Sequence, residues 1–204
     1  MTRPPPAPNR DDLPANEIAA YDRTVERISG YSEARKWGAG PGGIQPYYAI
    51  LLNSPDLADH ISGIPAVIRS RAANAKTGLT DKHLEWADLV AARDMNWNRA
   101  FHSHVGEALA AGVRPEAIKA LRTGRTDALT PEERNLAEYI GKVQTGAVTD
   151  DDYAAIVTLF RLRGAVEFTA FIGFLMLNFR AMQAFGIPDR ADSEVDLLLD
   201  ELTG

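Results

Sequence analysis

Residues 85–104 read Glu85-Trp-Ala-Asp-Leu-Val-Ala-Ala-Arg93-Asp94-Met-Asn96-Trp97-Asn-Arg-Ala100-Phe-His102-Ser-His104. The fold depends on whether this stretch is one helix or two. In a single helix Glu85 and His104 would stand about 28 Å apart, at a rise of ~1.5 Å per residue. Asp94, Asn96 and Asn98 cluster in its middle. Their short polar side chains compete with the helical backbone for hydrogen bonds and favour caps and turns. A reversal at 94–96 makes two antiparallel helices. Glu85 then lies about 13 Å before the bend and His104 about 12 Å after it, at matched depth. Trp97 and His104 are seven residues apart and share a face of the second helix, with the small Ala100 between them. His102 is turned about 200° from His104, so only one of these histidines can share a space with Glu85.

Outward from this stretch the chain reads as helices. Thr80 is a good cap for the helix carrying Glu85, whose apolar positions are Leu84, Ala87, Leu89, Val90 and Ala91. The second helix should run over 97–111 and stop at Gly112. Pro115 opens a short helix with Ile118 and Leu121. Thr130-Pro-Glu-Glu133 is a capping box with proline at the first helical position, followed by Leu136, Ile140 and Val143 at helical spacing. Thr149 caps a helix with Tyr153, Ile156, Val157 and Phe160, and residues 164–185 form the most apolar one, ended by Gly186. Upstream, Asn16 is placed to cap a helix over 17–29 carrying Ile18, Tyr21, Val25 and Ile28, stopped by Gly30. Pro46 starts a short helix, and Pro55 starts another with a stripe of Leu57, Ile61, Ile64 and Ile68, which Pro65 should kink or split. Residues 38–43, rich in glycine, read as a loop without the Lys-Ser/Thr of a phosphate cradle. Period-2 alternation is absent, so the fold class is all-α. Three regions follow: a Pro-rich arm over 1–16, a helical domain over 17–188, and an acidic tail over 189–204 whose Val195, Leu198, Leu199 and Leu202 suggest an amphipathic helix.

Composition narrows the function classes. The chain has 204 residues and a net charge of −6, which disfavours nucleic acid as a partner. It has no cysteine, which removes disulfides, thiolate metal sites and thiol redox catalysis. The opening residues lack the apolar core of a secretory signal, and the most apolar run, 168–177, is about half the ~20 residues a membrane span needs. A cytoplasmic protein without membrane contact is the expectation.

The order Glu85, Trp97, Ala100, His104 resembles the carboxymuconolactone decarboxylase and alkyl hydroperoxidase D-like superfamily. In its peroxidase branch the two middle positions are cysteines. Here they are Trp97 and Ala100, so the resemblance is to a cysteine-free branch. His104-Val-Gly-Glu-Ala-Leu-Ala-Ala-Gly112, Arg114-Pro-Glu-Ala-Ile118 and Gly164-Ala-Val-Glu167 extend the likeness over about 45–188. The resemblance implies a multi-helix bundle of the alkyl hydroperoxidase D-like type and a homo-oligomer (dimer, trimer or hexamer). It implies a lyase that needs no cofactor and no metal, decarboxylating a small carboxylate or lactone acid of the kind met in aromatic degradation. Glu85 and His104 would transfer the proton. Trp97, Ala100, Arg93 and Tyr48 would shape or bind the small-molecule substrate, with Arg99 and Arg180 as further cations for its carboxylate. Isomerisation or dehydration by the same pair is the nearest alternative, and thiol peroxidase chemistry is disfavoured.

Each of these residues has a structural reading as well. Glu85 can pair with a buried arginine, His104 can be a satisfied core histidine, Trp97 and Tyr48 can be core aromatics, and Glu167 can serve its helix dipole. The whole chain can then be an oligomeric scaffold or small-molecule binder. A metal site of His102, His104 and Glu107 is poorly spaced, because histidines two apart on a helix diverge.

Overall fold

The computed structural model describes residues 7–31, 38–72 and 77–203. The described helices are α1 (Ile18–Ser29), α2 (Pro46–Leu51), α3 (Pro55–Ala72), α4 (Asp81–Asp94), α5 (Asn98–Ala110), α6 (Pro115–Thr123), α7 (Pro131–Thr145), α8 (Asp150–Ala184) and α9 (Asp192–Thr203). There is no strand among the described residues, so the all-α expectation stands. None of these helices is long and apolar enough to cross a membrane. Backbone contacts divide the chain into two units, residues 1–67 with 180–188 and residues 68–179 with 189–204.

The first unit contains α1, α2 and most of α3. Asn16 does not cap α1: the cap residue is Glu17, with no side-chain bond, and Gly30 ends the helix. Its buried face is Ala20, Tyr21, Thr24 and Ile28, one register step away from the expected Ile18 and Val25. The arm is not simply extended. Residues 1–6 lie outside the described residues, but Arg10–Asp12 form a 3-10 turn, and Arg10 pairs with Asp22 of α1 at 2.6 Å. In α3, Pro65 sits inside an unbroken helix. Ile61 and Ile68 are buried, whereas Leu57 and Ile64 are exposed, so only half of the expected stripe is core.

The second unit holds the residues of interest. α4 is buried along most of its length and packs chiefly on α5 and α7. The chain reverses at Met95–Trp97, where Asn96 has φ 50°. Asparagine tolerates this left-handed conformation better than most residues. The α7 capping box forms as expected: Glu133 N–H donates to Thr130 Oγ1 and Thr130 N–H donates to the Glu133 carboxylate. α8 begins behind Thr149 and is interrupted at Arg161 (φ 58°, ψ 169°), close to the expected division between two helices. At this break α8 meets the loop before α4. A Cβ on Gly164 would lie 2.8 Å from Phe160 Cβ and 3.1 Å from the Thr77 carbonyl, and one on Gly78 would lie 2.9 Å from the Leu159 carbonyl. Both glycines are there because nothing larger fits. α9 packs on α5, burying Val195 and Leu199. Arg122 ties it down through Asp192 and Asp196, and Asn98 through Asp192.

Candidate functional site

The turn at 95–97 brings α5 back along α4, and Glu85 and His104 meet across the two helices. His104 Nδ1 lies 2.8 Å from Glu85 Oε2. Both residues are buried, at 3% and 8% of full exposure. The matched depth of the two positions on either side of the bend is realised as a direct contact.

Two further residues complete the cluster. Asp88, one turn along α4 from Glu85 and 2% exposed, places Oδ2 3.4 Å from His104 Nδ1. Arg69 of α3 donates from Nη1 to Glu85 Oε1 and from Nη2 to Asp88 Oδ2, each at 2.6 Å. Its guanidinium carbon also stands 5.4 Å from the centre of the Phe171 ring, within cation–π range. Burial works against the Arg69 charge, but Asp88 and Glu85 outweigh it and hold the guanidinium more firmly protonated than an ordinary arginine. Glu107, at 4.0 Å from His104 Nδ1, borders the group. Two buried carboxylates and one guanidinium carry a net charge of −1. An imidazolium at His104 makes the four-residue cluster neutral, and a neutral imidazole leaves it anionic.

Arg69 and Asp88 were not singled out from the sequence. Asp88 left a signal, because a second carboxylate three residues after Glu85 shares its face within an apolar run. Arg69 left none, since it sits beside Ile68 with no periodicity to mark it as inward.

Glu85, Asp88 and His104 also offer ligand atoms within 4.8 Å of one another. Two carboxylates and an imidazole are a donor set that divalent cations accept. Arg69 already bonds one oxygen of each carboxylate, so a dication would have to compete with a fixed positive charge.

The other candidates fall in varied places. Trp97 caps α5 and is 5% exposed. Its indole N–H is buried without a hydrogen-bond partner among the described residues. Ala100 is buried on the same helix. Arg93 is bound to Asp94 at 2.6 Å, which accounts for its charge locally. Arg99 carries a pKa lowered to about 10, by burial first and then by Arg190. Tyr48 and Arg180 belong to the first unit. There the Tyr48 hydroxyl lies 3.2 Å from that of Tyr31, and Arg180 donates to Gln183. His102 diverges from His104 as the helical spacing requires. Burial, then Arg190, lowers its pKa. Glu167 is bonded by Arg163 at 3.0 Å.

No protein-family model, curated protein or solved structure matches the chain.

Proposed function

We propose that the chain is a cofactor-independent lyase of the carboxymuconolactone decarboxylase type, acting on a small carboxylate or lactone acid, with His104 as proton donor. One observation carries the reading: an imidazole held at Nδ1 by a buried carboxylate that is itself fixed by Arg69. Such a pair orients the ring and stabilises its charged form, which suits proton transfer near neutral pH. Loss of carbon dioxide from a carboxylate beta to a carbonyl or lactone leaves its electron pair as an enolate. His104, as imidazolium, would give its Nε2 proton to the enolate carbon and take another from solvent. Glu85 and Asp88 stay ionised throughout and offset the changing charge. Trp97 and Ala100, on the same helix as His104, would shape the space for substrate. The resemblance drawn from Glu85, Trp97, Ala100 and His104 supports the substrate class and the alkyl hydroperoxidase D-like bundle. It also supports a homo-oligomer, as do the exposed apolar side chains Leu162, Val166 and Leu177 on α8.

The test is turnover against a panel of lactone acids and beta-keto acids. Wild type should decarboxylate at least one of them, and Glu85→Gln and His104→Ala should each lose that activity with the fold retained. Turnover unchanged in both variants removes the pair from the chemistry.

A second reading has its own observation. Arg69 satisfies both buried carboxylates, which is the arrangement expected of a purely structural ion cluster in a non-catalytic scaffold or binder. Absence of turnover across the panel, with no ligand stabilising the protein, would favour it.

A further inference from the structure

A concavity in this unit lies apart from the Glu85–His104 cluster, and none of Arg69, Glu85, Asp88 and His104 lines it. It is a groove between α7 and the first segment of α8, with a volume of about 580 Å³. That is within the range of small-molecule sites, roughly 300–1,000 Å³. Its floor is apolar: Leu136 and Tyr139 from α7, Ile156 and Leu159 from α8. Tyr139 is 3% exposed, its hydroxyl bonded to Thr169 at 2.7 Å and its ring stacked on Phe168, so it adds apolar wall to the groove and no open ring face. Leu159 remains 40% exposed, an apolar side chain facing water where a ligand would cover it.

The charged groups lining the groove all have one sign. Glu132, Glu138 and Asp152 line it, and among the described residues no lysine or arginine does. Asp152 is committed elsewhere, to Lys142 at 2.6 Å and to the backbone N–H and hydroxyl of Thr149. Among the described residues Glu132 is paired with the His83 ring alone, at 3.8 Å. Glu138 has no ion pair among the described residues. An apolar floor beneath two carboxylates with no lysine or arginine partner among the described residues complements one kind of small molecule. We infer that this groove binds a small amphipathic cation, an apolar body with a single ammonium head. The body covers Leu136, Ile156 and Leu159, and the head takes Glu132 and Glu138. An anionic ligand of the same shape would meet like charge and be rejected.

The test uses three probes with the same body: phenylbutyltrimethylammonium, phenylbutanol and phenylbutanoate, titrated calorimetrically into the full chain at low salt. The ammonium should bind saturably at one site per chain, and the alcohol and the carboxylate at least tenfold more weakly. Glu132→Gln with Glu138→Gln should weaken the ammonium at least tenfold and leave the alcohol unchanged. Both are exposed positions, so the fold should survive. Ala155→Trp, at an exposed lining position, should fill the groove and abolish binding. Equal affinity for all three probes, no saturable binding of the ammonium, or unchanged binding in the Ala155→Trp variant would overturn the assignment. The readout is binding rather than turnover, so the outcome is separate from the fate of the lyase reading.

Discussion

Replacing Arg69 by leucine should be among the most damaging single changes available to this protein, and its cost should depend on pH in a defined direction. The side chain makes two 2.6 Å charge-assisted bonds, to Glu85 and Asp88, whose side chains are 4% and 2% exposed. Removing one member of a buried ion cluster leaves the others charged in a poorly solvated place, at a cost of about 3–5 kcal/mol. Arg69 itself is 23% exposed, so water reaching the vacated space brings the expectation to the lower end, ~3 kcal/mol. In the variant, the desolvated carboxyls lose their strongest counter-ion and their pKa values rise above those of the unfolded chain. A raised folded-state pKa contributes stability below the unfolded value, about 4 for these groups. That contribution is lost as pH rises through the folded value. The deficit relative to wild type should therefore be small near pH 4 and fully developed by pH 7–8. Equilibrium urea unfolding at several pH values measures it. The triple variant Arg69→Leu, Glu85→Gln, Asp88→Asn should recover more than half the loss at pH 7, since it removes the stranded charge. A deficit below about 1 kcal/mol at pH 7, or one that does not change between pH 4 and 8, would refute the claim that these charges are buried and mutually dependent.

Other outcomes follow from single contacts. Gly164→Ala should destabilise by about 1–3 kcal/mol in the same unfolding assay, because the added methyl meets Phe160 Cβ at 2.8 Å and the Thr77 carbonyl at 3.1 Å; an unchanged midpoint would show that the crossing can relax. Lys142 and Thr149 hold Asp152 at a pKa of about 2, a lowered value whose stabilising contribution is present above the unfolded pKa and lost as pH falls toward 2. In Lys142→Met a carboxyl NMR titration should find Asp152 moved upward, yet still below its ordinary value because both Thr149 donors remain. Replacing Arg69, Glu85, Asp88 and His104 together by Met, Leu, Leu and Phe should give a folded protein as stable as wild type or up to ~4 kcal/mol more so, with no turnover. Unfolding of that variant by circular dichroism would refute the expectation and show that the fold needs the charged cluster.

The legible part of this protein was its local grammar. Pro46, Pro55, Pro115, the Thr130–Glu133 box and Thr149 each mark a helix start that the structure contains, because a cap or a first-turn proline acts within four residues of itself. The reversal at Asn96 was legible for the same reason. What failed was longer in range. Asn16 has the chemistry of a cap, but α1 begins behind Glu17. The stripe of α3 has the right period, but Leu57 and Ile64 are left in water. Pro65 does not split α3, which continues through it. In these cases tertiary context outweighs preferences worth no more than a few kcal/mol.

The site divides along the same line. Glu85 and His104 could be paired from sequence because both lie within one helical hairpin, where the distance of each from the bend fixes its depth. Arg69 comes from another helix, and no rule of spacing connects it to position 85. Yet Arg69 decides what the pair is. Without it, two buried carboxylates beside an imidazole would draw in a proton or a dication. With it, each carboxylate has a fixed positive partner at 2.6 Å. The same guanidinium that makes the cluster intelligible as a structural ion network also holds Glu85 in place against His104, the contact on which the proposed proton transfer rests. Structure alone gives the two readings one geometry. They separate when stability and turnover are measured on the same substitutions: a structural network replaced by well-packed apolar side chains keeps or gains stability and had no turnover to lose, whereas a chemical one keeps its fold and loses its reaction.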